Sequence, residues 1–240
     1  MALVIYYFEY SFQTLIFSMK NYTAIVLGAS GLIGAQLVQY LLQDADCSKV
    51  RILVRRPINL SNPKLEIQVV DFDDLKNFRS SLGMGDYIFC CIGTTLKQVK
   101  SDRNAYRKVD VDLPIHAAQM GKDAKFNKFL LVSAVGADYH SKNYYLKMKG
   151  EVEHGIASLN FNTFHAFRPS ILYGDRKDFR FGELLGKGAM KFISLFLVGG
   201  TSKYKGIEAS SVAKAMMNTA KTNTTGMIVH HFDDMIKLAD

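Results

Sequence analysis

A doubly wound parallel sheet of the Rossmann type, an α/β fold with helices on both faces, is what this sequence predicts, and three observations predict it. Short apolar runs rich in β-branched residues recur along the chain, as strands buried on both faces require. Segments with apolar residues at helical spacing separate these runs at short intervals, as crossover helices must in a parallel sheet. The first run ends in a glycine-rich turn, Gly28-Ala29-Ser30-Gly31-Leu32-Ile33-Gly34, which opens directly into a helical pattern.

Residues 22–27 read as the first strand, and 32–42 as a helix with Leu32, Ile33, Leu37, Val38, Leu41 and Leu42 on one face. A second strand, 50–54, is closed by Arg55-Arg56-Pro57, because proline stops regular pairing. The third, 67–70, ends at Asp71. Residues 74–82 read as a short helix and 87–92 as a fourth strand, ending at Gly93. A long helix over 104–121, a strand over 128–132 ending at Ser133, a helix over 144–158 and a strand over 162–167 follow, the last closed by Arg168-Pro169. After Gly174 the pattern loosens, with helices read within 179–196 and over 210–220 and a last strand over 227–230. That part is expected to close over the ligand crevice at the carboxyl ends of the strands. No repeat or linker interrupts residues 19–240, which read as one domain with a small substrate-side region in 175–240.

The 240 residues are 48% hydrophobic and 22% charged, enough for a sizeable core in a globular chain. Cys47, Cys90 and Cys91 have neither metal-ligand nor disulfide spacing, and Cys90 and Cys91 fall in an apolar run. They read as small buried hydrophobes, which points to a reducing, cytoplasmic setting. The formal charge of +8 is spread along the chain with no nucleic-acid motif, so an anionic small ligand is a better partner than nucleic acid. Residues 1–18 are aromatic and apolar with Glu9 as their one charge; they read as an extension outside the fold, with Met19 as the start of the domain. Membrane or partner contact through this segment is the alternative.

In the glycine turn, Gly28 permits the sharp bend, Gly31 lets backbone approach a pyrophosphate and Gly34 lets helix and strand pack closely. The N–H groups at the helix start then hold anionic phosphates. At the end of the second strand a carboxylate would select NAD(H), through the ribose hydroxyls, whereas arginine accommodates the additional phosphate of NADP(H). Arg55 and Arg56 stand there, so NADP(H) is the expected cofactor, with NAD(H) the alternative.

Tyr145 and Lys149 form a YxxxK pair on one helix face. A phenol titrates near pH 10, too high for ready proton transfer at neutral pH, and a neighbouring ammonium favours its phenolate. Ser133, at the end of the fifth strand, could orient a substrate carbonyl beside Tyr145. His116 lies within the long helix, and His154 and His165 read as isolated. His230 and His231 are neighbours in a strand and point to opposite faces, so no metal site is expected.

Seven stretches in order carry a family resemblance: VLGASGLIG at 26–34, VRRP at 54–57, CIGTT at 91–95, YRKVDVDLP at 106–114, LLVSAVGAD at 130–138, YLKMKGEVE at 145–153 and FRPSILYGDR at 167–176. The chain resembles the short-chain dehydrogenase/reductase superfamily, most closely its atypical branch of Tat-interacting-protein-like, NmrA-like and epimerase-like NAD(P)-binding proteins. The resemblance implies that Gly28, Ser30, Gly31, Leu32 and Ile33 line the pyrophosphate and that Arg55 and Arg56 take the adenosine phosphate. It implies Asp71 and Phe72 near adenine, and Cys91, Gly93 and Thr94 along the middle of the cofactor. Arg168, Pro169 and Ile171 would approach the nicotinamide end, and Ser133, Tyr145 and Lys149 would be catalytic. The implied activity is hydride transfer between nicotinamide and a small carbonyl or alcohol, with Tyr145 as general acid or base. Only 64 residues follow Arg176, too few for a sugar-nucleotide domain of the epimerase kind. Two other readings stand beside the enzyme: an NADP(H)-binding redox sensor with a protein partner, and a membrane-associated accessory protein.

Overall fold

The computed structural model describes residues 21–95, 98–174 and 199–240. The expected 1–18 extension, the helix within 179–196 and much of the expected substrate-side stretch lie outside these residues.

The chain begins with β1 (Tyr22–Leu27), α1 (Leu32–Gln43), β2 (Cys47–Val54), β3 (Leu65–Val69), α2 (Leu75–Leu82) and β4 (Tyr87–Cys90). Next come α3 (Arg103–Arg107), a π-helical turn at Lys108–Asp112, α4 (Leu113–Asp123), β5 (Lys128–Val132), α5 (Tyr144–Ala157) and β6 (Thr163–Phe167). The remainder holds β7 (Leu172–Tyr173), a 3-10 turn at Gly199–Tyr204, β8 (Ile207–Glu208), α6 (Ala209–Ala220), β9 (Gly226–His230) and α7 (Phe232–Ala239). Among the described residues, seven strands form one sheet in the order β3-β2-β1-β4-β5-β6-β9, and β7 pairs with β8 separately. Every pairing is parallel.

Successive side chains of a strand point to opposite faces, and β1 shows how this builds two cores. Ala24 and Val26 pack with α1, α6 and α7, while Ile25 and Leu27 pack with α2, α4 and α5. The centre of the sheet is therefore covered on both faces, which is why β1, β4 and β5 are largely apolar, whereas the edge strand β3, Leu-Glu-Ile-Gln-Val, alternates. Strand order reverses between β1 and β4, and this opens a crevice at their carboxyl ends.

Two departures from expectation have physical causes. β2 begins at Cys47 rather than residue 50, because Ser48 and Lys49 are exposed where the strand pairs with the start of β1. The last helix, α7, was absent from the expected pattern; it starts where the His231 backbone N–H donates to the Asp234 carboxylate at 2.9 Å, and it buries Met235 and Ala239. Within the described residues 199–240, α6 joins α1 in the core through Val212, Ala213 and Met216, and β9 completes the sheet, while 175–198 lie outside the described residues.

His165 is not isolated. Its Nδ1 lies 2.9 Å from His230 Nε2 and its Nε2 lies 3.2 Å from Thr224 Oγ1, so a buried imidazole pair joins β6 to β9. Burial, with His230 and Lys128 nearby, pushes the His165 imidazole down to about 3 from its ordinary 6.5. Between those two values the unfolded chain binds a proton that the folded chain excludes, so stability should fall as pH drops through this window. His165→Gln should flatten that slope, which for one group approaches about 1.4 kcal/mol per pH unit, in denaturant titrations from pH 7 to 4.

A second expectation concerns α5. A Cβ on Gly150 would stand 2.2 Å from both the Asp138 carbonyl carbon and the Tyr139 nitrogen, which are backbone atoms without a rotamer to yield. Gly150→Ala should cost about 1–3 kcal/mol or more, as overpacking does, and lower the melting temperature accordingly.

Candidate cofactor and active site

The crevice is built first by backbone. Gly28 has φ +80, and a Cβ there would lie 2.6 Å from the carbonyl of Cys91 at the end of β4. A Cβ on Gly34 would lie 2.2 Å from the Gly28 carbonyl oxygen, and one on Gly31 3.0 Å from the same atom. The Gly31 N–H donates to that oxygen at 2.8 Å and closes the turn. Gly31 caps the N-terminus of α1 without a side-chain hydrogen bond, and the first turn of the helix holds no acidic residue. Its first N–H groups and positive end therefore face the crevice with no carboxylate to compete, as the pyrophosphate of a dinucleotide needs. These residues fit the group the turn predicts.

The face of α5 that carries Tyr145 and Lys149 is set by a buried ion pair. Lys149 Nζ lies 3.0 Å from Asp110 Oδ1, with the residues 6% and 1% exposed. The Thr94 N–H donates to the other Asp110 oxygen at 2.7 Å, so the loop after β4, the π turn and α5 meet at one carboxylate. Two charges removed from water need such further hydrogen bonds to persist. Lys149 Nζ also lies 5.9 Å from the centre of the half-buried Tyr145 ring. The structure thus brings Tyr145, Lys149 and Thr94 together around Asp110, a residue that sequence reasoning did not single out. Asp110 sits buried in the π turn, and no spacing pattern in the sequence marks it, because its partners lie on α5 and on the loop after β4.

Ser133 is placed differently. Its hydroxyl donates to Glu153 Oε1, and Arg168 grips the same carboxylate through Nε at 2.9 Å and Nη2 at 2.5 Å. Glu153 lies eight residues beyond Tyr145, roughly 12 Å along the helix axis. Ser133 and Arg168 therefore form a clamp between the ends of β5 and β6 and α5.

The remaining expected residues divide by environment. Ser30, Arg55 and Arg56 are exposed at the carboxyl edge of the sheet, while Leu32 is half-buried and packs at Gly174, beside β7. Ile33 points into the core, so only its backbone can serve a phosphate. The Asp71 carboxylate accepts from the Asp73 N–H at 2.9 Å, and Phe72 stands edge-on to Phe78 at 4.9 Å. Cys91 is buried and Gly93 half-buried beside Thr94. Burial pushes the Cys90 thiol up to about 11 and the Cys91 thiol well above its ordinary value, so both behave as apolar residues. The Pro169 carbonyl accepts from Val135 N–H at 3.0 Å and the Ile171 carbonyl from Ile207 N–H at 2.8 Å, and these bonds shape the edge of the crevice.

Asp110→Asn keeps the shape of the side chain but leaves the Lys149 ammonium buried without a counter-charge. It should cost about 3 kcal/mol, the scale for breaking a buried pair, in denaturant unfolding at pH 7. An unchanged midpoint would show that the pair is not desolvated.

Comparison with known proteins follows the same lines. A family profile described as NAD(P)H-binding matches residues 28–173. Protein HTATIP2 of Rattus norvegicus is 33% identical over 215 residues, covering 88% of this chain and 86% of that protein. Protein FMP52 of Candida albicans, named as mitochondrial, is 28% identical over 229 residues, covering 91% and 98%. Among solved structures, a UDP-N-acetylglucosamine 4-epimerase from Methanobrevibacter ruminantium M1 superposes with a TM-score of 0.65 at 20% identity, covering 89% of this chain and 77% of that one. The Bordetella bronchiseptica enzyme WbmH, solved with NAD+, superposes with a TM-score of 0.66 at 14% identity, covering 88% and 75%. At these identities the two structures show the fold alone. The cytoplasmic expectation is overturned by the fungal relatives, which are named as mitochondrial proteins. Buried thiols could not have decided it, since a thiol sealed in a core meets no oxidant in any compartment. By the profile and the HTATIP2 identity, the chain belongs to the NAD(P)H-binding family, as an atypical short-chain dehydrogenase/reductase similar to HTATIP2.

Proposed function

We propose that this protein is an NADP(H)-dependent oxidoreductase acting on a small carbonyl or alcohol, with Tyr145 as its general acid and base. The observation that carries this reading is the Tyr145–Lys149–Asp110 arrangement beside the loop after β4. Bound NADPH would supply the hydride. Tyr145 gives its phenolic proton to the substrate oxygen as that oxygen gains charge, and takes one back in the reverse direction. The Lys149 ammonium faces the ring and favours the resulting phenolate, while Asp110 keeps that ammonium in place. Gly28, Gly31 and Gly34 bring backbone N–H groups to the pyrophosphate, and Leu32 walls the crevice against β7.

Arg55 and Arg56 support the choice of NADP(H). Both are exposed just past β2, and neither forms an ion pair with a described residue, so two guanidinium groups are available for a phosphate. One observation favours a second reading, cofactor sensing without turnover: the Ser133 hydroxyl is already committed to Glu153. The names of the fungal relatives support mitochondria as the place of action.

Absorbance at the nicotinamide band with NADPH and a panel of aldehydes and ketones tests the enzyme reading. Tyr145→Phe should abolish turnover while NADPH still binds. Unchanged turnover would remove Tyr145 from the mechanism. Arg55→Ala with Arg56→Ala should weaken NADPH by about 10–100-fold and NADH far less, as expected for the loss of charge-assisted hydrogen bonds.

A further inference from the structure

A carbonyl oxygen that gains charge presents two lone pairs, and Tyr145 can fill only one of them. The expected second donor, Ser133, has its hydroxyl on Glu153, and the residue after it is Ala134. Another phenol, that of Tyr106, stands near Tyr145. β4 and β5 are parallel neighbours, and the helical segments leaving them return over the same face of the sheet, so α3 with its π turn runs parallel to α5. Asp110 of the first meets Lys149 of the second at 3.0 Å. One turn earlier on each helix, toward the carboxyl ends of the strands, stand Tyr106 and Tyr145.

Neighbouring contacts pin this alignment. The Tyr106 ring centre lies 6.4 Å from that of Tyr144, and the Tyr144 hydroxyl donates to the Arg103 carbonyl at 3.5 Å. Tyr106 is 5% exposed, and Tyr145 packs against the same apolar cluster. The Tyr106 hydroxyl makes no hydrogen bond with a described residue. Burial, with Asp110 and Tyr145 nearby, raises the Tyr106 phenol above its ordinary value, so it stays protonated and remains a donor.

We propose that Tyr106 donates the second hydrogen bond to the substrate carbonyl oxygen, beside Tyr145 and in the role that Ser133 leaves open. The proposal rests on the oxidoreductase reading, and its test separates the two. The probe is isobutyramide, an unreactive amide whose carbonyl oxygen accepts hydrogen bonds, titrated into the NADPH complex and read by nicotinamide fluorescence. Tyr106→Phe keeps the ring and its packing. It should weaken isobutyramide about tenfold, as the loss of one hydrogen bond does, with NADPH affinity unchanged. On any aldehyde or ketone the enzyme reduces, it should lower kcat/KM by at least as much. Equal amide affinity in the two proteins, or no amide binding to wild type, overturns the proposal. Amide binding that depends on Tyr106, in a protein that reduces nothing, supports the proposal's geometry and overturns the oxidoreductase reading alone.

Discussion

The contact on which the rest depends is backbone against backbone at the carbonyl of Gly28. That oxygen accepts the Gly31 N–H and sits where Cβ atoms of Gly31 and Gly34 would be, while Gly28 itself presses on the carbonyl of Cys91. No side chain could fill these positions without driving β1, β4 and α1 apart. Because the chain reverses its strand order at this junction, the same contact that packs the sheet also opens its crevice. Packing and phosphate binding thus ask the same thing of three positions.

α5 is fixed to this frame by two ion pairs of opposite polarity, one helical turn apart, each with its α5 member buried. Lys149 is held by Asp110 from the neighbouring helical segment, and Glu153 by Arg168 and Ser133 from the strand ends. Gly150 lies between them, against the backbone at Asp138 and Tyr139. Lys149 and Glu153 are both buried and matched, so rotating or sliding α5 would leave a charge unpaired on both sides at once. The position of Tyr145 follows, one turn before the first clamp.

The fold was legible because its information is local and periodic. Strands 22–27 and 128–132 keep their boundaries in the structure, since glycine or serine ends each apolar run. What was less legible depends on partners distant in sequence. His165 looks solitary until β9 arrives beside β6, and α7 has a cap built from His231 and Asp234 that invites a metal reading instead. At the site, the glycine turn and the YxxxK pair were readable from spacing. Asp110 was not, because its role comes from Lys149 across the helix pair and Thr94 across the loop. Ser133 shows the converse: a strand-end serine at suitable spacing still turns toward whichever acceptor is buried nearest, and here that is Glu153.

The direction in which Ser133 turns also sets the economy of the site. Its bond to Glu153 satisfies a buried carboxylate that Arg168 alone would reach only from one side. Releasing the hydroxyl toward a substrate would therefore leave polar atoms unmatched in the clamp, a cost on the scale of a lost buried hydrogen bond. A donor that serves no clamp can meet a substrate at no such cost. The tyrosine one turn before Asp110 meets that condition, because its ring supplies the packing while its hydroxyl supplies none. The same ion pair that orients Lys149 thereby orients a phenol on each of the two parallel helices.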